Sequence, residues 1–284
     1  MTADSGGNSF AALVRDADPA RYFANQFAAS DKRDDLFVLY AFDLEIRKIP
    51  QTVRESMAGE IRLQWWREVF NGERDEEAEA NPMARASLSL VRKYQIDPTV
   101  LGRYLDGRIF DLYSDQIQDI PALEAYAGQT EGTILQLACL ILDRDQSGHA
   151  ADLSGYLSCA SCLWTRVVRP LNGNASDQAI RYLPPGLVKT AGLDTNPFLD
   201  AAPLTNAAAI SIAIDYAESY LKRARETAAA VPTSLRPAFL HMSQIVASLE
   251  AAGSTAPTDV VPRDPATFRL IWRLWRASKK WPCF

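Results

Sequence analysis

The stretch from Leu36 to Phe70, LFVLYAFDLEIRKIPQTVRESMAGEIRLQWWREVF, decides the fold of the chain. Its apolar residues recur at three- and four-residue steps, at Leu36, Leu39, Tyr40 and Ala41 and then at Met57, Ile61, Trp65 and Val69. This periodicity is typical of helix faces turned toward a core. Pro50 lacks an N–H and clashes with the preceding turn, so the first helix is expected to end or kink near Lys48. The stretch therefore predicts two apolar helices hinged at Pro50.

The composition is that of a globular protein without a membrane span. Hydrophobic residues make up 48% of the 284 residues, and charged residues make up 23%. The longest apolar run, from Ile134 to Leu142, is interrupted by Gln136 and falls short of the ~20 residues that a span needs. The first ten residues do not resemble a secretory signal. Four cysteines without paired spacing favour a reducing compartment, and we expect a cytoplasmic location.

The charge of the chain is unevenly distributed. The net charge is -5, yet the segment from Arg263 to Phe284 carries six basic residues and the single acid Asp264. The rest of the chain is therefore acidic, which argues against general binding of nucleic acid. The basic tail points instead to an anionic partner for that segment alone.

Helical patterns and their start signals cover nearly the whole chain, which predicts an all-α fold. Asp-Pro and Asn-Pro pairs, at Asp18, Asn81 and Asp97, mark helix starts because the first residue caps and the proline occupies the first helical position. We expect a loosely ordered N-terminus over 1–17, one domain over 18–252, a linker over 253–265 and a basic amphipathic helix over 266–284.

Short motifs along most of the chain resemble the squalene/phytoene synthase family. The motifs are Arg21-Tyr22-Phe23, Tyr40-Ala41-Phe42, Gly59-Glu60-Ile61-Arg62-Leu63-Gln64-Trp65-Trp66, Gly107–Leu112, Tyr126 with Thr130-Glu131-Gly132, and Tyr182-Leu183-Pro184. The resemblance implies a single isoprenoid-synthase-like helical bundle around a central cavity. In active members of that family, two aspartate-rich segments bind the magnesium ions that hold a prenyl diphosphate.

This sequence departs from the family at both aspartate-rich segments. Aligned on Tyr40 and Phe42, the first set of acidic positions falls on Arg47, Lys48 and Gln51. The second set should precede Tyr182-Leu183-Pro184, but 153–176 contains no Asp or Glu and offers Arg166 and Arg169 instead. A cation beside Mg²⁺ replaces attraction by repulsion, about 4 kcal/mol per pair of unit charges ~4 Å apart. We therefore predict no metal site and no catalytic residues.

The basic residues at these positions are candidates for binding a phosphate directly. If they face one cavity, Arg47, Lys48, Arg62, Arg166 and Arg169 could hold a diphosphate or a lipid phosphate. The alternative is that they pair with carboxylates at helical spacing, such as those of Glu45, Glu55 and Glu60.

Two further patterns suggest metal binding but have simpler interpretations. Asp111, Asp115 and Asp119 stand four residues apart, which predicts one helix face, and we expect these acids to be solvated or paired with arginine. Cys159 and Cys162 form a lone CxxC on an apolar helix, without the four ligands of a structural zinc site. We expect these two thiols to be buried.

The C-terminal helix combines an aromatic stripe with a basic stripe. Phe268, Ile271, Trp272 and Trp275 recur at helical steps, and Arg269, Arg273, Arg276 and Lys280 form the second stripe. Such a helix suits an anionic membrane surface or an acidic partner, with contact through Trp272, Arg273, Trp275, Arg276 and Lys280. The alternative is a last helix that packs its aromatic rings into the core.

A branch of the family without the acidic segments resembles this sequence best, and its mitochondrial members act in the assembly of respiratory complex I. The resemblance implies a non-catalytic assembly factor that contacts complex I subunits or assembly intermediates and lies peripherally on the inner membrane, on the matrix side in a mitochondrion. One alternative is a head-to-head prenyl transferase that requires Mg²⁺. Another is a protein that binds an isoprenoid or a lipid phosphate.

Overall fold

A computed structural model describes residues 5–172, 177–190, 206–253 and 267–284 of the chain. The all-α prediction is confirmed, since the regular elements of these residues are helices. The α-helices are Ser5–Ala17 (α1), Pro19–Asn25 (α2), Arg33–Thr52 (α3), Ser56–Phe70 (α4), Asp75–Ala80 (α5), Pro82–Lys93 (α6), Pro98–Ile109 (α7), Ile120–Ala127 (α8), Thr133–Leu142 (α9), Ala151–Leu163 (α10), Arg169–Asn172 (α11), Pro185–Thr190 (α12), Asn206–Thr227 (α13), Met242–Gly253 (α14) and Thr267–Lys279 (α15).

Shorter helical turns connect these elements. The 3₁₀ turns are Phe110–Leu112, Ser147–Ala150, Asp177–Tyr182, Ala228–Ala230 and Thr233–Phe239. Two π-helical turns span Gly128–Gly132 and Trp164–Val168. Among the described helices, none is long and apolar enough to cross a bilayer.

The helices group into two compact units that alternate along the sequence. The first unit comprises the described residues of Met1–Tyr113, Thr133–Ala150 and Pro232–His241. The second unit comprises those of Ser114–Gly132, Ala151–Val231 and Met242–Phe284. The predicted linker over 253–265 lies, apart from Gly253, outside the described residues.

Helix α3 forms the centre of the first unit, as the opening stretch predicts. It packs against α1, α6 and α9, and its residues Leu36, Leu39 and Ile46 are almost completely buried. The ring of Phe42 lies 5.1 Å from that of Trp66 on α4, measured between centroids. Edge-to-face aromatic contacts of this kind add to the free energy gained by burial. The two helices of the opening stretch therefore meet through aromatic side chains. The face predicted for α4 is wrong, however, because Met57 and Ile61 are exposed, and Leu63 and Trp66 are buried instead.

The predicted hinge lies later in the chain than expected. Helix α3 continues through Pro50 and ends at Thr52, and Val53 adopts an extended backbone. A proline so close to the C-terminal end removes one backbone hydrogen bond from a turn that already leaves carbonyl groups unpaired. The helix therefore tolerates Pro50 in its last turn.

Two polar segments contain helices that their composition did not predict. Residues 5–17, for which the sequence indicates loose order, form α1 with Val14 fully buried, because Phe10, Leu13 and Val14 follow helical spacing. The acidic connection 71–81 contains the short helix α5. Its acids Asp75, Glu76 and Glu77 occupy the first turn, where negative charge is favourable at the helix N-terminus.

The core of the second unit is built on the pairing of α10 with α13. Leu157 and Leu163 on α10 and Ala213 and Ala217 on α13 are fully buried. Helix α10 also packs against the first π-helical turn, where a Cβ added at Gly132 would lie 3.4 Å from Oγ of Ser158.

Candidate functional site

A completely buried carboxylate, Asp43 on α3, lies at the centre of a charge cluster in the first unit. Its Oδ2 accepts a hydrogen bond from Nη1 of Arg21 at 2.5 Å. Its Oδ1 accepts bonds from Oη of Tyr104 at 2.7 Å and from Nη2 of Arg108 at 3.1 Å. Nη1 of Arg47, one turn later on α3, lies 3.6 Å from Oδ2. Both oxygens of this carboxylate are thus occupied by donors of the chain itself.

The partners of Asp43 lie on three elements, α2, α3 and α7. Residues nearby in the sequence hold the two buried arginines in position. Asp18 caps α2 by accepting a hydrogen bond from the backbone N–H of Arg21, and its Oδ2 lies 3.6 Å from Nε of the same arginine. The guanidinium group of Arg21 also lies 5.3 Å from the centroid of the Tyr40 ring. On α7, Arg108 reaches Asp111 at 3.5 Å. The acids Asp18, Asp43 and Asp111 balance the three arginines.

The charges of this cluster shift the pKa values of its members. Burial raises the pKa of Asp43, but the positive charges of Arg21, Arg47 and Arg108 outweigh burial and hold that pKa well below its usual range. Burial, together with the charge of Asp43, raises the pKa of Tyr104 well above its usual value. At neutral pH the carboxylate is therefore ionised, and the phenol remains a hydrogen-bond donor.

The predicted phosphate-binding residues of the first unit occupy different environments. Arg47 joins the Asp43 cluster, with 28% of its side chain exposed. Lys48 is exposed on α3. Arg62 is exposed on α4 and donates a hydrogen bond to Oγ1 of Thr52 at 2.8 Å. The ion pair of Arg47 with Asp43 is formed at helical spacing, one turn apart on α3.

Of the predicted residues of the second unit, Arg166 lies near the Tyr-Leu-Pro segment. The guanidinium group of Arg166, in the second π-helical turn, lies 5.5 Å from the centroid of the Tyr182 ring. Arg169 is exposed at the start of α11. Arg181, which is buried, lies 4.8 Å from the same ring centroid and donates to Oη of Tyr182 at 2.8 Å. Two cations thus contact one tyrosine.

The three aspartates expected on one helix face lie on separate elements, which corrects that prediction. Helix α7 ends at Ile109, so Asp111 lies in a 3₁₀ turn, Asp115 is exposed after that turn, and Asp119 caps α8. The pairing of Asp111 with Arg108 follows the expected arginine pairing. No group of three His, Cys, Asp or Glu side chains suited to a metal ion occurs within the part of the chain that the structure describes.

The CxxC thiols are buried, as predicted. Cys159 and Cys162 are both nearly inaccessible on α10. Burial raises the pKa of the Cys159 thiol to about 12, so that this sulfur stays protonated at neutral pH. A protonated buried thiol is a poor nucleophile and a poor metal ligand.

The C-terminal helix α15 turns its aromatic stripe outward, so the alternative of aromatic rings in the core is wrong. Phe268 is 76% exposed, Trp272 52% and Trp275 46%. The leucines Leu270 and Leu274 pack inward instead. The rings of Trp272 and Trp275 stack with their centroids 5.0 Å apart. Of the predicted contact cations, Arg276 and Lys280 are exposed and Arg273 donates to Oε1 of Gln244.

The fold and the sequence together define the class of this protein. The model of the squalene/phytoene synthase family matches residues 14–276, and the chain belongs to that family. A dehydrosqualene synthase shares the fold with a TM-score of 0.69 at 15% identity, over 96% of each chain. Squalene synthase HpnC from Alicyclobacillus acidocaldarius gives 0.64 at 15% identity, over 87% of this chain and 92% of its own. The predicted isoprenoid-synthase-like fold is thereby confirmed.

Among curated proteins the chain is similar to complex I assembly factor 6 of NADH dehydrogenase (ubiquinone). The protein of Bos taurus is 25% identical over 230 residues, which cover 81% of this chain and 68% of the relative. The protein of Homo sapiens is also 25% identical over the same shares of both chains.

Sequence reasoning did not identify the residues that hold Arg47. Arg21 and Arg108 lie within two of the family motifs, but neither these motifs nor the metal patterns indicate that both arginines pair with the buried Asp43. One signal was present: Asp43 follows Leu36, Leu39 and Tyr40 at helical steps, so an acid stands on an apolar face. A buried carboxylate requires cationic or hydrogen-bonding partners.

Proposed function

We propose that this protein is a non-catalytic member of the squalene/phytoene synthase family that supports the assembly of respiratory complex I. The observation that carries the proposal is the arrangement of Asp43 and Arg47 on α3. Alignment on Tyr40 and Phe42 puts Arg47 where the family resemblance implies a metal-binding carboxylate. The acid one turn earlier is completely buried and bonded to the chain's own donors. Neither residue is suited to hold magnesium.

Electrostatics supports the absence of magnesium-dependent chemistry. A divalent ion ~4 Å from the Arg47 guanidinium would be repelled by about 8 kcal/mol at an effective dielectric of 20, twice the cost for a unit charge. Asp43 cannot compensate, because three arginines already neutralise it. Near the second segment, Arg166 contacts the ring of Tyr182 and no acid occurs from residue 153 to 176. The protein keeps the family fold and works by binding rather than by prenyl transfer.

The relatives support the assembly role. The four curated relatives that match are assembly factors of complex I, and the alignment covers most of this chain. The partners we propose are complex I subunits or assembly intermediates. The location we propose is the surface of the membrane that holds complex I, on its cytoplasmic or matrix side. Contact with that membrane runs through α15, whose exposed rings lie beside basic side chains.

A binding role for an isoprenoid or lipid phosphate is the second candidate. It is favoured by the exposed cations Lys48 and Arg62 of the first unit, since guanidinium and ammonium groups hold phosphate without a metal. Farnesyl diphosphate added without Mg²⁺ should then raise the melting temperature of the purified chain. The variant Arg62→Gln should reduce that shift. No shift with farnesyl diphosphate contradicts this candidate and leaves the assembly role standing.

Deletion and complementation test the assembly role. We expect a strain without the gene to lose NADH:quinone oxidoreductase activity and the fully assembled complex on native gels. The wild-type chain on a plasmid should restore both. Succinate:quinone activity, measured in the same membranes, controls for general damage to respiration. Unchanged NADH:quinone activity in the deletion strain would contradict the proposal.

A further inference from the structure

Helix α15 carries three stripes of side chains, of which one faces inward and two face outward. Leu270, Leu274 and Ala277 are buried against the second unit. On the opposite side lie the exposed rings of Phe268, Trp272 and Trp275. The basic residues form the third stripe, along one flank of the aromatic stripe. Because helical spacing fixes these directions, the rings and the cations face outward side by side.

The cations beside α15 fall into two groups. Arg225 is held within the fold, since its Nε donates to the backbone oxygen of Phe284 at 2.9 Å and its Nη2 lies 3.9 Å from Glu250. Arg273 is held by Gln244, and burial lowers the pKa of Arg273. Arg269, Arg276 and Lys280 are exposed, and their side chains make no hydrogen bond or ion pair within the described residues.

A groove of about 590 Å³ in the second unit brings the unpaired cations together with apolar surface. Val246 and Ala247 of α14 and Phe268 and Trp272 of α15 form its apolar lining. The three unpaired cations line the same groove. Its volume lies in the range of pockets that accept small ligands. The combination suits a molecule that carries an anionic group next to an apolar body.

We propose that this groove takes the phosphate head group of an acidic phospholipid while the exposed rings of α15 enter the interfacial layer of the membrane. The inference rests on the membrane contact of the proposed function and adds to it a head-group site. Arg269, Arg276 and Lys280 neutralise the phosphate and the surface charge around it. Phe268, Trp272 and Trp275 supply the apolar and aromatic contacts that favour the region between head groups and acyl chains.

Charge complementarity favours a lipid surface over an acidic protein. Outside the C-terminal segment the chain is acidic, so an anionic bilayer repels most of its surface and attracts this helix. The cations flank the rings along the whole length of the helix. A membrane interface offers charge and apolar material in adjacent layers over that length, whereas an acidic protein surface alone would leave the rings exposed to water.

Sedimentation with vesicles tests the inference on the purified full chain. One set of vesicles contains only phosphatidylcholine, and the other contains equal parts of phosphatidylcholine and phosphatidylglycerol. We expect strong binding to the second set, and a loss on the order of 100-fold when Arg269, Arg276 and Lys280 are all changed to Gln, because each contributes about fivefold. The control variant Arg54→Gln, Arg92→Gln, Lys222→Gln removes the same charge from other exposed positions and should bind like the wild type.

Each outcome decides between named alternatives. Equal binding of wild type and charge variant to both vesicle sets retains membrane contact but overturns the head-group site. If the wild type binds neither set of vesicles, the membrane contact and the head-group site are both overturned. A third outcome combines two results: the chain does not bind vesicles, and cells that carry the charge variant lose NADH:quinone activity. This outcome assigns the cations to an acidic protein and overturns the inference. Since vesicle binding needs no complex I, these results are separate from those of the gene deletion. Melting temperatures of both variants, matched to the wild type, verify that they fold.

Discussion

Arg47 points its guanidinium group at Asp43, the residue one helical turn before it on α3, with Nη1 3.6 Å from Oδ2. This pairing joins the partly exposed side chain of Arg47 to the buried core of the first unit. The arginine is held by a partner that lies completely out of solvent. The positive charge at this position is therefore part of the fold.

Replacing Asp43 with Asn should strongly destabilise the protein. The change removes the negative charge that Arg21 and Arg108 neutralise while both guanidinium groups remain buried, and breaking a buried pair costs about 3–5 kcal/mol. Urea unfolding followed by circular dichroism measures the free energy of unfolding. Asp16→Asn is the control, because Asp16 pairs with Arg15 at an exposed site. Equal midpoints for both variants would contradict the importance of the buried cluster.

The same carboxylate should make stability depend on pH at the acid end. The pKa of Asp43 in the folded state lies below its unfolded value of about 3.9. The stabilisation is therefore fully present above about pH 4, and it is lost as the pH falls from there toward the folded pKa. The difference in unfolding free energy between wild type and Asp43→Asn should be constant from neutral pH down to about 5 and shrink below 4. A difference that grows on acidification would contradict this assignment.

A side chain at Gly59 on α4 should displace Leu112. A Cβ there would lie 2.4 Å from Cδ2 of Leu112, in the turn after α7. Gly59→Ala should cost about 1–3 kcal/mol through overpacking. The matched change Gly102→Ala, at a helical glycine of α7 with no atom within 4 Å of the new Cβ, should stabilise by about 0.4–1 kcal/mol. Adding Leu112→Ala should relieve the first variant, and equal effects of the two glycine changes would contradict the close contact.

The cysteines should react at very different rates in the native protein. Burial raises the pKa values of Cys139 and Cys159 to about 12, so that almost no thiolate is present at pH 8. Cys283 is half-exposed near the C-terminus and should be alkylated first by iodoacetamide. Peptide mass spectrometry after timed labelling distinguishes the sites, and labelling in urea supplies the fully reactive control. Rapid native labelling of Cys159 would show that the thiol is accessible.

The sequence predicts the all-α fold because helix faces and caps are local signals. The apolar steps of α3 and the caps at Asp18 and Asp97 are examples. The family motifs fix the fold further, since their order spans both compact units. The outward aromatic stripe of α15 could not be chosen from sequence alone, because Leu270 and Leu274 compete with the tryptophans for the buried side.

The buried cluster depends on contacts that periodicity cannot show. Asp43 meets Arg21 and Arg108 across separations of 22 and 65 residues. A helical pattern tells which side of a helix is apolar, but it does not identify the distant residue that neutralises an acid on that side. The prediction that Asp111, Asp115 and Asp119 share one helix face is wrong for a related reason. Helix α7 ends at Ile109, so the regular spacing of these residues no longer implies a common face.

Turnover of a prenyl diphosphate is the most direct test of the claim that the chain keeps the family fold without its reaction. Purified full-length protein is incubated with radiolabelled farnesyl or geranylgeranyl diphosphate and Mg²⁺, and the lipid products are separated by chromatography. A dehydrosqualene synthase under the same conditions serves as the positive control. We predict no product above the protein-free blank. A head-to-head product that requires both the protein and Mg²⁺ would contradict the account.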